Sequence, residues 1–167
     1  RAFTTACVLF GNGLKTLYVV SKVEDAFRLR HGFFPEALLI GEVDGIKVDG
    51  FDLGNSPHLA SVLRFDGKTA ILRTSSGTVG LDLARKAGAD PILAAGFVNS
   101  RATAKYLAAR PGGGSLIAMG WKGEKPSIED DQCAEYIQAL YEGKAMDRAA
   151  ILKRLDGHPD LARFQAP

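Results

Sequence analysis

Two acidic residues and one amide in the first third of the chain are of the types that bind cations and phosphate. Asp52 and Asn55 lie in a loop, residues 50–57, and Glu42 ends the apolar segment before it. A carboxylate such as Asp52 can bind a hard cation, and Asn55 can orient a water molecule or a phosphate oxygen. Ser56, which a proline follows, is also typical of a helix start, so the loop has a structural interpretation beside the functional one.

A hydroxyl-rich segment forms a second candidate site, in front of a helical pattern. It consists of Thr74, Ser75, Ser76, Gly77 and Thr78. Hydroxyl and backbone N–H groups at the positive end of a helix suit a phosphate, whereas an ordinary helix cap with a tight turn explains the same residues. The segment lacks the G-x-x-x-x-G-K-[ST] pattern, which excludes a P-loop, and it is too short for a dinucleotide fingerprint.

Three acids begin a later helical pattern, namely Glu129, Asp130 and Asp131. Ser127, with Asp130 three residues further on, predicts a capping box and an acidic first turn. The other acids could bind Mg²⁺, because this ion needs only one or two carboxylates in addition to substrate oxygens. Asn99 starts the preceding helical pattern, where a helix cap explains it.

Histidine and cysteine chemistry is poorly supported. His31, His58 and His158 are far apart in the sequence, which argues against a zinc site or a Ser-His-Asp triad. Cys7 and Cys133 are interpreted as small buried thiols in a reducing, cytoplasmic setting.

Alternating apolar runs and helical patterns predict an α/β fold with a mostly parallel sheet. We expect four strands in a single sheet, at residues 37–41, 69–73, 92–95 and 116–119. Helices are expected to begin near Gly77, Asn99 and Ser127. Right-handed crossovers would then bring the strand carboxyl ends to one edge, where ligands of such sheets bind.

The composition indicates one soluble globular domain, residues 1–167. Hydrophobic residues make up 46% of the chain and charged residues 24%, and the net charge is +2. This charge is too small to suggest a nucleic-acid or membrane partner, and no apolar run approaches a membrane span. Because the chain goes from Arg1 directly into a helical pattern and ends without a closing strand, we expect the domain to be truncated at its N-terminus and at its C-terminus.

Five motifs resemble the 2-phosphosulfolactate phosphatase family, in the family's order. They read R-A-F-T-T-A, G-E-V-D-G-I-K-V-D-G-F-D-L-G-N-S-P, T-S-S-G-T-V-G, G-F-V-N-S-R-A-T-A and G-W-K-G-E-K-P-S-I-E-D-D-Q-C-A-E-Y, and they span Arg1 to about Gly143. The segment G-F-D-L-G-N-S-P is the most specific. Two departures matter. Val43 stands where family members often carry Arg, and the family usually has an Asp-bearing strand before the segment that matches Arg1.

The resemblance implies a Mg²⁺-dependent phosphatase that removes phosphate from 2-phospho-3-sulfolactate, a step toward coenzyme M. It also implies a three-layer α/β fold, a mostly parallel or mixed sheet flanked by helices. Asp52 and Glu42 would be the leading Mg²⁺ ligands, joined by one of Glu129, Asp130 or Asp131.

The resemblance further implies a set of phosphate contacts. Asn55 and Ser56 would bind phosphate oxygens, as would Asn99, and Thr74, Ser75, Ser76, Gly77 and Thr78 would form an anion cradle. Arg1 or Arg101 would bind a second acidic group of the substrate. Catalysis would then depend on Asp52, Glu42 and Asn55.

Two alternatives stay open. The substrate could be another small phosphorylated acid, and the chain could be a non-catalytic or diverged relative that binds anion and metal without turnover. A homo-oligomer also stays open.

Overall fold

Four strands form one mixed sheet in the first part of the computed structural model, which describes residues 1–112 and 114–159. They are β1 (Thr16–Val20), β2 (Leu38–Val43), β3 (Ile46–Lys47) and β4 (Thr69–Arg73), in the spatial order β1-β4-β2-β3. β4 runs parallel to both β1 and β2, and β3 is antiparallel to β2. The strands predicted at residues 37–41 and 69–73 are therefore confirmed as neighbours in one sheet.

Seven α-helices belong to the described residues. They are α1 (Ala2–Gly11), α2 (Val23–Gly32), α3 (Pro57–Ser61), α4 (Gly77–Lys86), α5 (Ser100–Ala108), α6 (Ile128–Tyr141) and α7 (Arg148–Leu155). The helix starts predicted near Gly77, Asn99 and Ser127 are confirmed, with a short 3₁₀ turn, Phe97–Asn99, before α5. Among the helices of the described residues, none has the length and apolar character that a membrane span requires.

Side chains of the sheet alternate between two apolar layers, as the two-residue period of a strand requires. Ile40 and Leu72 pack on the face that also carries Leu9 of α1. Leu39 and Ile71 point to the other face, where Ala26 of α2 is fully buried. The sheet thus has helices on both sides, and the predicted three-layer α/β architecture is confirmed.

The strands predicted at residues 92–95 and 116–119 are wrong. Neither segment is in a strand in the structure. Both were predicted from apolar composition, yet Leu93 is 41% exposed and Ile117 is 74% exposed. A strand forms only where a neighbour accepts and donates its backbone hydrogen bonds, and apolar residues do not by themselves supply that neighbour.

The chain divides into two compact units, residues 1–94 and 95–167. The first contains the whole sheet. The second is helical in its described part, where α5 packs on α6 and the rings of Phe97 and Tyr136 lie 5.9 Å apart between centroids. Two compact units can belong to one domain, so a single domain over residues 1–167 stays a prediction.

Candidate functional site

A buried carboxylate lies at the carboxyl edge of the sheet. Glu42, in β2, is only 8% exposed. Its Oε1 accepts a hydrogen bond from the backbone N–H of Ser75 at 2.8 Å, and its Oε2 accepts from the Ser75 hydroxyl at 3.0 Å. Oε2 also accepts from the backbone N–H of Gly45 at 2.7 Å. A carboxylate oxygen can accept two hydrogen bonds. Oε1 accepts one from the described residues and can therefore accept one more.

The local sequence explains why Gly45 reaches this carboxylate. Asp44 and Gly45 form the two-residue turn between β2 and β3, with φ angles of 55° and 86°. Such a hairpin turn needs positive φ at both positions, for which Asp-Gly is well suited. The turn also directs the Asp44 N–H to the Ser75 hydroxyl, at 3.0 Å. Glu42 and Ser75 are therefore held from two directions.

The two threonines of the predicted anion cradle satisfy each other. Thr78 Oγ1 accepts from the Thr74 N–H at 2.9 Å and donates to the Thr74 carbonyl at 2.8 Å, and the Thr78 N–H donates to Thr74 Oγ1 at 3.3 Å. Both residues are 1% exposed. Their hydroxyls therefore stabilise the loop through internal hydrogen bonds. Ser75 donates its N–H and its hydroxyl to Glu42, whereas the Gly77 N–H is a donor that no contact of the described residues uses.

The loop at residues 50–57 and the loop before α4 both adjoin the first turns of α1. Thr5 donates its hydroxyl to Asn55 Oδ1 at 2.8 Å, and Asn55 is 8% exposed. A Cβ built on Gly77 would lie 3.2 Å from the Cβ of Ala2. The two loops thus lie on the same side of the first unit, which the anion-cradle hypothesis requires. Ser56 instead accepts from the Leu59 N–H at 3.3 Å, as the cap of α3.

Asp52 lies away from Glu42. Its Oδ2 accepts from the Leu39 N–H at 2.7 Å and from Arg30 Nη1 at 3.1 Å. Leu39 is three residues before Glu42 on β2, which corresponds to about 10 Å along the strand. The prediction that Asp52 and Glu42 bind one cation together is therefore not supported by this geometry, which gives Asp52 a structural partner in the backbone.

We expect Asp52→Asn to lower stability slightly and to leave turnover within about threefold of wild type. The amide oxygen can still accept from the Leu39 N–H, while the half-exposed ion pair with Arg30 is lost, a change of about 1 kcal/mol or less. Asp52→Ala also removes the acceptor of Leu39 and should cost more, about 1–3 kcal/mol. Urea unfolding and phosphate-release rates for both variants measure this. A loss of turnover of about 100-fold in Asp52→Asn, with stability unchanged, would restore Asp52 to the active site.

The acids of α6 belong to the second unit and are already engaged within it in part. Asp130 Oδ2 accepts from the Gly120 N–H at 2.8 Å. Ser127 precedes α6 as predicted, but the side-chain bond of a capping box is not formed. Across the described ranges, 1–112 and 114–159, no group of three His, Cys, Asp or Glu side chains is arranged to hold a metal ion. That one of Glu129, Asp130 or Asp131 binds a metal ion stays a prediction.

Burial raises the pKa of Asp130, with the neighbouring Glu129 acting in the same direction. The unfolded state therefore ionises first, from about pH 3.9 upward, and stability falls as pH rises from there through the folded pKa. We expect Asp130→Asn, which keeps an acceptor for Gly120, to gain stability over wild type as pH rises from about 4 to neutral, and to show no such gain below about pH 4. Thermal unfolding at several pH values measures this. Asp131→Asn is the matched control, since Asp131 is exposed. An equal gain in that control would contradict the explanation.

Three further residues were predicted to contact phosphate, namely Asn99, Arg101 and Arg1. Asn99 accepts from the Gly96 N–H at 2.9 Å and Arg101 is exposed in α5, both in the second unit. Arg1 is exposed immediately before α1. Their contact with an anion stays a prediction. Cys7 and Cys133 are both half-buried, so the prediction of small buried thiols is met only in part. Burial raises the pKa of Cys133 to about 11, so its thiol is protonated at neutral pH.

Sequence reasoning did not single out Arg73 or Thr5. Arg73 ends β4 and donates from Nη1 to the carbonyl of Glu42 at 2.6 Å. Thr5 supplies the hydroxyl that binds Asn55. An arginine at the end of a buried strand, next to a hydroxyl-rich loop, was the available signal for the first. Thr5 had none, because its partner is 50 residues away in the sequence.

The chain is similar to known proteins over most of its length. A family model described as 2-phosphosulpholactate phosphatase matches residues 1–163. Proteins named "Probable 2-phosphosulfolactate phosphatase" match from Bacillus subtilis strain 168, with 31% identity over 98% of this chain, and from Clostridium perfringens strain 13, with 36% over 82%. A protein of the same name from Carboxydothermus hydrogenoformans is 39% identical over 84% of the chain. The chain spans 71% of the Bacillus relative and 56% of each of the other two.

Proposed function

The chain belongs to the 2-phosphosulfolactate phosphatase family, a family of phosphoric monoester hydrolases. We therefore propose that it hydrolyses a small phosphorylated acid, with 2-phospho-3-sulfolactate as the first candidate substrate. The observation that carries this proposal is the buried Glu42 carboxylate, held by Ser75 and Gly45 at the strand edge where α4 begins. A cytoplasmic location and a step toward coenzyme M are proposed with it.

The phosphate binds at the first turn of α4 in this proposal. The Gly77 N–H makes no hydrogen bond to any other described residue, so a donor is open at the positive end of the helix. The small side chain of Ser75 lets the phosphate approach the backbone, whereas the missing side chain of Gly77 makes room for Ala2 of α1. Asn55, held by Thr5, lies on the same side of the unit and orients an oxygen of the substrate or a water.

Glu42 is the carboxylate of the reacting centre in this proposal. The three N–H and O–H groups that bind Glu42 keep both of its oxygens in one orientation, and Oε1 accepts only one hydrogen bond from the described residues. Oxygen donors suit Mg²⁺, which commonly binds one protein carboxylate together with water and substrate oxygens, so the chemistry of Glu42 fits this ion. Bound Mg²⁺ would neutralise charge on the phosphate during its transfer. Glu42 is its proposed ligand in the first unit.

Phosphate release from a panel of esters tests the function. Phosphosulfolactate, phospholactate and phosphoglycolate are offered to the purified protein with Mg²⁺, and again after complete chelation. We expect release that depends on Mg²⁺ and is fastest with phosphosulfolactate, because two acidic groups flank its phosphate ester. Release that survives chelation would refute the metal proposal alone. Binding of phosphate and Mg²⁺ by calorimetry, with no release from any ester, would refute the hydrolase and favour a diverged binding protein.

A further inference from the structure

Arg73 lies where the three parallel strands end. It is the last residue of β4, in register with Val20 of β1 on one side and Gly41 of β2 on the other. The β2 and β4 backbones are close at this point, since a Cβ built on Gly41 would lie 1.9 Å from the Arg73 carbonyl oxygen. The half-buried Arg73 side chain therefore leaves the sheet next to Glu42.

The guanidinium of Arg73 donates hydrogen bonds to three separate segments of the chain. No other described side chain connects these three segments. Nε donates to the carbonyl of Ser21, just after β1, at 3.3 Å. Nη1 donates to the carbonyl of Glu42 at 2.6 Å and to the Ser75 hydroxyl at 3.4 Å. One planar group thus connects the ends of β1 and β2 with the loop that follows β4.

An ion pair does not account for this arginine. Within the part of the chain that the structure describes, Arg73 makes no salt bridge within 4.0 Å. The carboxylate of Glu42 binds Ser75 and Gly45, while Arg73 binds its backbone carbonyl. A half-buried charge without a carboxylate partner is costly to desolvate. Two of its three hydrogen bonds go to Glu42 and Ser75, and the third fixes the guanidinium at the Ser21 carbonyl.

We propose that Arg73 is a positioning residue of the phosphatase site. It holds the backbone of Glu42 and the hydroxyl of Ser75 in the one arrangement that directs the Glu42 carboxylate to the Ser75 N–H. Arg73 acts through these two residues and does not need to contact the substrate. The expected effect on kcat rests on the proposed function. The expected effect on the positions of Glu42 and Ser75 rests on the hydrogen bonds alone.

The kinetic test compares Arg73→Gln and Arg73→Lys with Arg28→Gln, an exposed arginine of α2 that pairs with Asp25. We expect Arg73→Gln to lower kcat by about 10- to 100-fold with KM within about threefold, since the carboxylate is displaced while phosphate contacts remain. Lysine can hold the Glu42 carbonyl but not Ser21 as well, so Arg73→Lys should recover part of kcat. Arg28→Gln should have the kcat and KM of the wild-type protein. The proposal would be overturned if Arg73→Gln kept the wild-type kcat, whether or not its KM increased.

Amide hydrogen exchange tests the positioning without turnover. The Ser75 N–H is protected by Glu42, whereas the Ile71 N–H lies in the middle of β4. In Arg73→Gln we expect the Ser75 amide to exchange at least about tenfold faster with Ile71 unchanged. Unchanged exchange at Ser75, or equal acceleration at both amides, would overturn the proposal. If the wild-type protein releases no phosphate from any ester, the proposed function fails, and this measurement still decides the role of Arg73.

Discussion

Replacing Glu42 with Gln is expected to lower kcat by at least about 100-fold, because the charge at the proposed reacting centre is removed. The exchange also disturbs the local hydrogen bonds. Either orientation of the new amide turns its NH₂ group toward a backbone N–H, that of Ser75 or that of Gly45. We therefore expect a loss of stability of about 1–3 kcal/mol beside the loss of turnover. Phosphate release is measured at a temperature where circular dichroism shows the variant folded.

The control for this variant is Glu24→Gln, an exposed glutamate in the first turn of α2. It carries the same chemical change and should keep kcat within about twofold, since solvent and salt screen the charge of an exposed side chain. A folded Glu42→Gln protein with wild-type kcat would show that the buried carboxylate serves the loop and not the reaction. The catalytic centre would then have to be sought elsewhere.

Replacing Gly41 with Ala is expected to be the most destabilising single-methyl change in the sheet, at about 3 kcal/mol or more. The added Cβ would lie 1.9 Å from the carbonyl oxygen of Arg73 and 2.9 Å from its carbon, and Gly41 has φ of 151°. Both contacts are to backbone, so no side-chain rotation relieves them. β2 and β4 would have to separate at the point where Glu42 and Arg73 meet. Urea unfolding of the variant measures the loss.

Gly32→Ala is the matched control, because a Cβ built on Gly32 has no neighbour within 4 Å and its φ is not in the left-handed region. We expect its free energy of unfolding to stay within about 0.5 kcal/mol of wild type. If Gly41→Ala unfolds at the same urea concentration as Gly32→Ala, this result would contradict the close approach of the β2 and β4 backbones at Gly41. The hydrogen bond from Arg73 to the Glu42 carbonyl would then be in doubt as well.

Local patterns in the sequence were sufficient for the central strands, the helix starts and the family. Residues 38–40 and 70–72 are apolar, and a continuous apolar run is typical of a strand that is buried on both faces of a sheet. Gly77 and Ser127 mark helix starts through conformational and capping preferences that act within a few residues. Glu42 was also correctly expected at the strand edge, because its position follows directly from where β2 ends.

Tertiary structure alone decided which polar residues meet. Asp52 and Glu42 are ten residues apart and looked equivalent, but the segment after Phe51 runs beside β2, and the register of that segment leaves Asp52 at Leu39. Apolar composition likewise could not show that residues 92–95 and 116–119 lack a strand neighbour. Hydrogen bonds between distant segments, such as those of Arg73, depend on strand order and register. These are set by packing of the whole sheet, and no local residue preference encodes them.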